Sequence, residues 1–194
     1  LEAAKIIVQG VIQQSAGGDI TLITPQVPSN FVLIEGSGEL ITDTFSAVAG
    51  GDILIRTHDL TLRGGSSILA GTGGEGSGNA GQVEINTTGD VLLTGPNTTI
   101  DTQVFLTANA PVSTGNSGIL SITANNLSIL DQASITADTS SVGDAGLVDI
   151  VTRGRTLIDG AGSAIDSQVR AGATGDSSGI TLNTQTLTIR NGGS

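Results

Sequence analysis

Two aspartates occupy equivalent places in this sequence, Asp101 directly after Ile100 and Asp166 directly after Ile165. A pair of carboxylates is the equipment of a glycoside hydrolase, one group serving as acid and the other as base or nucleophile. The one histidine, His58, lies in the link Thr57-His58-Asp59. It would act as a general base only if a nucleophile and an oxyanion site converged on it. GSGNAG at 76–81 satisfies G-x-G-x-x-G, and GGEGSGN at 73–79 approaches the calcium-binding nonapeptide G-G-x-G-x-D. Asn86, Asn97 and Asn126 each head an N-x-[ST] sequon.

What these residues can do depends on the elements that carry them. A dinucleotide fingerprint needs a strand before it and a helix after it, so that the helix end holds the pyrophosphate. Here the strand-like QVEI follows, and the glycines read as a corner. In the calcium-like string Gly78 stands where the ligand aspartate belongs, and the string does not recur in tandem as stacked calcium sites require. Nothing marks a nucleophile for His58, which reads as a solvated corner residue. In a chain rich in Thr and Asn the sequons arise from composition alone.

Composition narrows the classes further. The 194 residues hold 18 acidic and 7 basic side chains, a formal charge of −11, which repels a phosphate backbone and excludes nucleic acid as a partner. Gly supplies 29 residues, while Phe31, Phe45 and Phe105 are the only aromatics, so stacking platforms of Trp or Tyr for sugars are absent. With no cysteine there is no disulfide framework, thiol nucleophile or thiolate zinc site. The opening apolar run, Ile6 to Val8, has no basic leader before it, and no stretch approaches the roughly 18 apolar residues of a membrane span.

The chain repeats itself. GGDITLIT at 17–24 returns as GGDILIRT at 50–57, and related openings follow as GQVEI, GILSI, GLVDI and GITL. Anchored on Gly18, Gly51, Gly81, Gly118, Gly146 and Gly179, the spacings are 33, 30, 37, 28 and 33 residues. The units from Gly51 onward share one pattern, two alternating aliphatics, a gap, two more, then an isoleucine, with Thr156 the one slot that is not aliphatic and the fifth slot missing from the last unit. Ile53, Ile55, Leu60, Leu62 and Ile68 are followed in kind by Val83, Ile85, Val91, Leu93 and Ile100, then by Leu120, Ile122, Leu127, Ile129 and Ile135. Val148, Ile150, Thr156, Ile158 and Ile165 come next, and Ile180, Leu182, Leu187 and Ile189 close the series without a third strand.

Alternation with period two and a β-branched bias mean strands, and no window has helical spacing. Three short strands per unit, each with one apolar face, bury those faces only if the chain coils. The expected fold is therefore all-β: a single right-handed parallel β-helix over 1–194, three short strands per turn, about five to six turns. Residues 51–194 form the regular repeats. Residues 1–50 are expected to form irregular first turns, with Pro25 and Pro28 interrupting, Leu40 and Ile41 displaced from the template, and Ile6, Val8 and Ile12 finishing an earlier turn. Corners with Asn, Asp and Gly, as in GNAG, GNSG, GDAG and GDSSG, tolerate the positive φ that a sharp bend needs. Units differ in length just before this corner, SVG against QVFLTANAPVST, where a loop can bulge outward.

In that geometry Asp101 and Asp166 share a slot two turns apart, about 10 Å, near the upper limit for an inverting pair. Thr136 lies between them and Leu69 before them, and no Arg or Lys is expected to align with them. The outward middle position of the second strand reads Thr61, Leu92, Ser128, Leu157, Thr188, too mixed for an ice-binding ladder. The expectation is of no catalytic, cofactor-binding or metal residue and no cofactor.

The cycle GDILIRTHDLTLRGGSSILAGTGGEGSGNAGQVEIN resembles the repeats of filamentous-haemagglutinin-like exoproteins, particularly cyanobacterial ones, over 50–194. The resemblance lies in the order strand, strand, RGG or RNGG corner, Ser-Ile, then GSGNAG. It implies a β-helix at the cell surface or in secreted matrix, exported by two-partner secretion, with no cofactor and no catalytic residues. The NPNGI-type string of the family's amino-terminal secretion domain does not occur here. The expected role is thus a non-enzymatic structural or adhesive segment of an extracellular fibre, its unpaired end strands stacking end to end. A polysaccharide-acting enzyme or glycan-binding module is the alternative.

Overall fold

The computed structural model describes residues 4–15, 17–74, 76–106 and 112–194, and every regular element among them is a β-strand. β1 (Lys5–Val8) and β2 (Val11–Gln13) precede a first full turn of β3 (Ile20–Ile23), β4 (Phe31–Glu35) and β5 (Glu39–Ile41). The next turn holds β6 (Ile53–Thr57), β7 (Asp59–Arg63), β8 (Ser67–Leu69) and the short β9 (Thr72–Gly73). After it come β10 (Val83–Thr87), β11 (Val91–Thr94), β12 (Thr99–Asp101) and β13 (Val104–Phe105). β14 (Leu120–Ala124), β15 (Leu127–Leu130) and β16 (Ser134–Thr136) follow, then β17 (Val148–Thr152), β18 (Arg155–Asp159) and β19 (Ala164–Asp166), and finally β20 (Ile180–Asn183) and β21 (Thr186–Arg190).

These strands stack as a parallel β-solenoid of about six turns, with three sheets running along it. The first sheet has the order β3-β6-β10-β14-β17-β20, the second β1-β4-β7-β11-β15-β18-β21, and the third β2-β5-β8-β12-β16-β19. Ile85 pairs with Ile55 below and Ile122 above, and Ile122 pairs in turn with Ile150. Leu93 lies likewise between Leu62 and Ile129, and Ile100 between Ile68 and Ile135. All of these side chains are fully buried in one continuous core. Burying each such aliphatic is worth roughly 1.5–3 kcal/mol relative to leaving it exposed.

Residues 4–50 are more regular than their prolines suggest. Val32 and Ile34 stack under Leu60 and Leu62, and Leu40 stacks under Ile68, so Leu40 is not displaced but fills its slot. Ile6, Val8 and Ile12 occupy the same columns one turn earlier, against Val32, Ile34 and Leu40. Pro25 and Pro28 fall in a loop between β3 and β4, where no ladder N–H is needed. At the other end Ile180 pairs with Val148 and Ile189 with Ile158, but Ile180, Leu187 and Ile189 have no turn above them and are about half exposed.

The glycine anchors form a physical column. A Cβ on Gly51 would approach the Gly18 carbonyl oxygen to 2.0 Å, and one on Gly118 would approach that of Gly81 to 1.9 Å. A second column runs through Gly78, Gly115, Gly143 and Gly175, where a Cβ would come within 2.0–2.2 Å of the carbonyl oxygen one turn below. Close backbone approach therefore demands glycine at these corners, and positive φ is added only at Gly143 and Gly175. Gly179 departs from the expected column. Because Ile180 pairs with Val148, it is Ser178 that aligns with Gly146, and Gly179 at φ +83° takes up the extra residue of GDSSG.

Asx side chains staple successive corners from outside. Asp19 Oδ1 accepts from the Asp52 amide and Asp52 Oδ1 from the Gln82 amide. Beside them Asn79, Asn116 and Asp144 each accept from the amide of Asn116, Asp144 and Asp176 one turn on, at 2.9–3.0 Å. The outward loop expected at 103–114 is described only at its ends, since 107–111 fall outside the described residues, as does Glu75 of the glycine string.

Candidate functional site

The third sheet carries the paired-carboxylate slot. Asp101 pairs with Leu69 below and Thr136 above, and Thr136 pairs with Asp166, so the two aspartates share one column two strand spacings apart, about 10 Å. Two residues further on, alternation brings the next outward column to the same edge. That column holds Asp43, Gly71, Gln103, Asp138 and Gln168.

Between the two columns lies a recess of about 260 Å³ lined by Asp43, Leu69, Gly71, Asp101, Gln103 and Phe105. Asp101 is only 7% exposed. Its Oδ2 accepts from the Gln103 side-chain amide at 2.5 Å, while its Oδ1 has no hydrogen-bond partner. Burial pushes its carboxyl up to about 7; the nearby Thr136 hydroxyl and the Arg170 charge oppose the shift, and the charges of Asp138 and Asp43 reinforce it. Burial also raises Asp43, whose Oδ1 accepts from the Gly71 amide at 2.7 Å. Asp166, less enclosed, is raised by burial and by Asp138.

The neighbouring Asp138 is buried and answered. Its Oδ1 accepts from the Gln168 amide at 2.9 Å and its Oδ2 from Arg170 at 2.5 Å. Arg170 therefore answers Asp138 in this neighbouring column, and Asp101 and Asp166 form no ion pair with it. Phe105 lies over the backbone of Gly71 and Gly73, where a Cβ would meet its ring at 2.9 and 2.4 Å. It meets Phe45 edge-on, with centroids 5.7 Å apart and planes at 77°. An apolar ring therefore borders the recess although the chain has neither Trp nor Tyr.

The other chemical candidates separate into corners. His58 Nδ1 lies 2.8 Å from the Thr88 hydroxyl, but Nε2 is 3.9 Å from Asp59 Oδ1, which already accepts from the Asp90 amide. That arrangement is a staple between turns, not a proton relay. GSGNAG runs directly into β10, so its glycines serve the stack described above. Asn126 accepts from the Arg155 amide and donates to Asp90. The outward column of the second sheet is Thr61, Leu92, Ser128, Leu157, Thr188, in the order expected. Among the described residues no group of three or more His, Cys, Asp or Glu is arranged to hold a metal ion.

Asp43, Gln103, Asp138 and Arg170 escaped the sequence reading. Their signal is present: each of the first three lies three residues after a third-sheet core aliphatic, Leu40, Ile100 and Ile135. The five-slot pattern stops at that aliphatic, and one further step of the alternation reaches this column.

The class defined by these features is a parallel β-solenoid with a half-enclosed acidic recess on one outer edge. No protein-family model, curated protein or solved structure matches this chain.

Proposed function

We propose that this chain is a non-enzymatic structural or adhesive segment of a secreted or cell-surface β-helical fibre, of the filamentous-haemagglutinin-like kind, and that its turns continue end to end. The observation that carries the reading is the uninterrupted parallel stack, in which Ile55, Ile85, Ile122 and Ile150 form one fully buried column and successive turns pair in register. Leu187 and Ile189 prolong the columns of Thr156 and Ile158 but stand 46% and 49% exposed, and Ile12 at the opposite end is 37% exposed. Edge strands β21 and β20 offer unpaired backbone groups alongside these side chains, a template for a further parallel turn. The long polar faces, stapled by Asx side chains, suit a rod that presents surface to matrix or glycans.

Sedimentation velocity across a wide concentration range tests the assembly. Growing rod-like species are expected, and Ile189→Asp is expected to abolish them while leaving the β-sheet circular dichroism intact. A chain that stays monomeric at the highest concentration, with no end contacts in micrographs, overturns end-to-end stacking.

The buried, raised Asp101 in one column with Asp166 favours a second reading, a polysaccharide-cleaving enzyme. Cleavage in a panel of acidic and neutral glycans, lost in both Asp101→Asn and Asp166→Asn, would replace the fibre reading. Binding on a glycan array without turnover would instead specify the adhesive role.

A further inference from the structure

We propose that Asn191 is a spontaneous modification site, which loses its side-chain amide through attack by the backbone nitrogen of Gly192 and leaves a carboxylate at an outer corner of the solenoid. The inference is independent of the fibre reading, since it concerns the chemistry of one corner and not what the molecule assembles with.

Three observations converge. Asn191 is the one asparagine in the chain that a glycine follows. Both residues are exposed, and Asn191 has φ 54° in the corner row where Gly36, Gly64, Gly95 and Gly160 stand in other turns, each at positive φ. Its Nδ2 donates at 2.7 Å to Asp159 Oδ1 on the turn below, whose Oδ2 accepts from Arg190 Nε at 2.9 Å.

The nucleophile is the Gly192 nitrogen. Once hydroxide has taken its proton, its electron pair bonds to Asn191 Cγ and closes a five-membered ring. The Cγ–Nδ2 bond then breaks, and ammonia leaves with a proton from water. Addition of one water at either ring carbonyl yields aspartate or isoaspartate, so the net change is amide plus water to acid plus ammonia. Glycine hinders closure least, because no Cβ stands beside the attacking nitrogen. Asn97 is the natural comparison: it too is exposed and left-handed, at φ 60°, but β-branched Thr98 follows it. Asn30 is buried, and Asn79, Asn116 and Asn126 each hold a backbone amide of the next turn through Oδ1.

Conversion replaces the N–H donor facing Asp159 Oδ1 with a second carboxylate. The Asn191 amide, with Arg190 beside it, holds the Asp159 carboxyl below its ordinary range. Losing that donor and gaining a like charge removes a staple between the ends of β18 and β21, and isoaspartate also lengthens the corner backbone by one carbon. The change runs one way.

The test is incubation of the whole folded chain at mildly alkaline pH, with peptide mapping by mass. Asn191 is expected to convert first, at least about tenfold faster than any other asparagine among the described residues. Asn191→Gln, which would have to close a larger ring, should stay unmodified at that position over the same period with its circular dichroism unchanged. Asn191→Asp supplies the product charge directly, so the Asp159 carboxyl should titrate at higher pH by NMR and the β21 amides should exchange faster than in the parent. Another asparagine converting first, an Asn191 that stays intact in the folded chain while it converts in urea, or an unmoved Asp159 midpoint in Asn191→Asp would overturn the proposal.

Discussion

At the scale of single residues, Asp101 is held against its own chemistry. Enclosure in the recess favours the neutral acid, so its folded-state pKa, about 7, exceeds the ordinary value of 3.8. The stability it contributes is fully present below the unfolded pKa and is lost as pH rises through the folded one, because the unfolded chain ionises first. From about pH 4 to about pH 7 this one group should cost up to roughly 4 kcal/mol. Asp101→Asn is accordingly expected to be more stable than the parent at about pH 8, with the difference shrinking toward zero near pH 4. Urea unfolding at several pH values measures it; an advantage independent of pH would show that the carboxyl is ionised in the folded chain.

At the scale of the element, the corners decide whether turns can stack at all. Gly118 has no positive φ, yet a Cβ there would press to 1.9 Å from the Gly81 carbonyl oxygen. The obstruction is backbone, which cannot swing aside as a side chain would. Gly118→Ala is expected to cost about 2–4 kcal/mol in chemical denaturation, through forced separation of β10 and β14. Gly10→Ala, where a Cβ meets nothing within 4 Å, should stay within about 0.5 kcal/mol of the parent. Equal effects at the two positions would mean that unfolded-state flexibility, and not close approach, governs the glycines.

At the scale of the whole molecule, each turn touches only its neighbours, so stability is a sum of local terms and one-sided end turns are the weakest. The central columns through Ile85, Leu93, Ile122 and Ile129 are fully buried with turns above and below, whereas Leu187 and Ile189 are half exposed. Native-state hydrogen exchange should therefore be slowest in β10, β11, β14 and β15 and fastest in β20 and β21, graded along the axis. Uniform protection from end to end would mean that the solenoid opens as one cooperative unit.

Much of this architecture was legible because interior columns are specified by residue type alone. Period-two aliphatics such as Ile53, Ile55, Leu60 and Leu62, recurring after about thirty residues, can be buried together only by coiling, and glycines spaced alike mark the corners. Pro25 and Pro28 misled because a proline disrupts a strand but not a loop, and register with β7 and β8 kept Val32, Ile34 and Leu40 in line. What only the tertiary structure could decide lies outside the core. Whether Asp101 is solvated or enclosed, whether Arg170 reaches Asp138, and whether Phe105 covers Gly71 depend on contacts between side chains about thirty residues apart. Those contacts follow from the exact register and the few-ångström spacing of adjacent turns, and no pattern of polar residue types along one chain encodes which of them will meet.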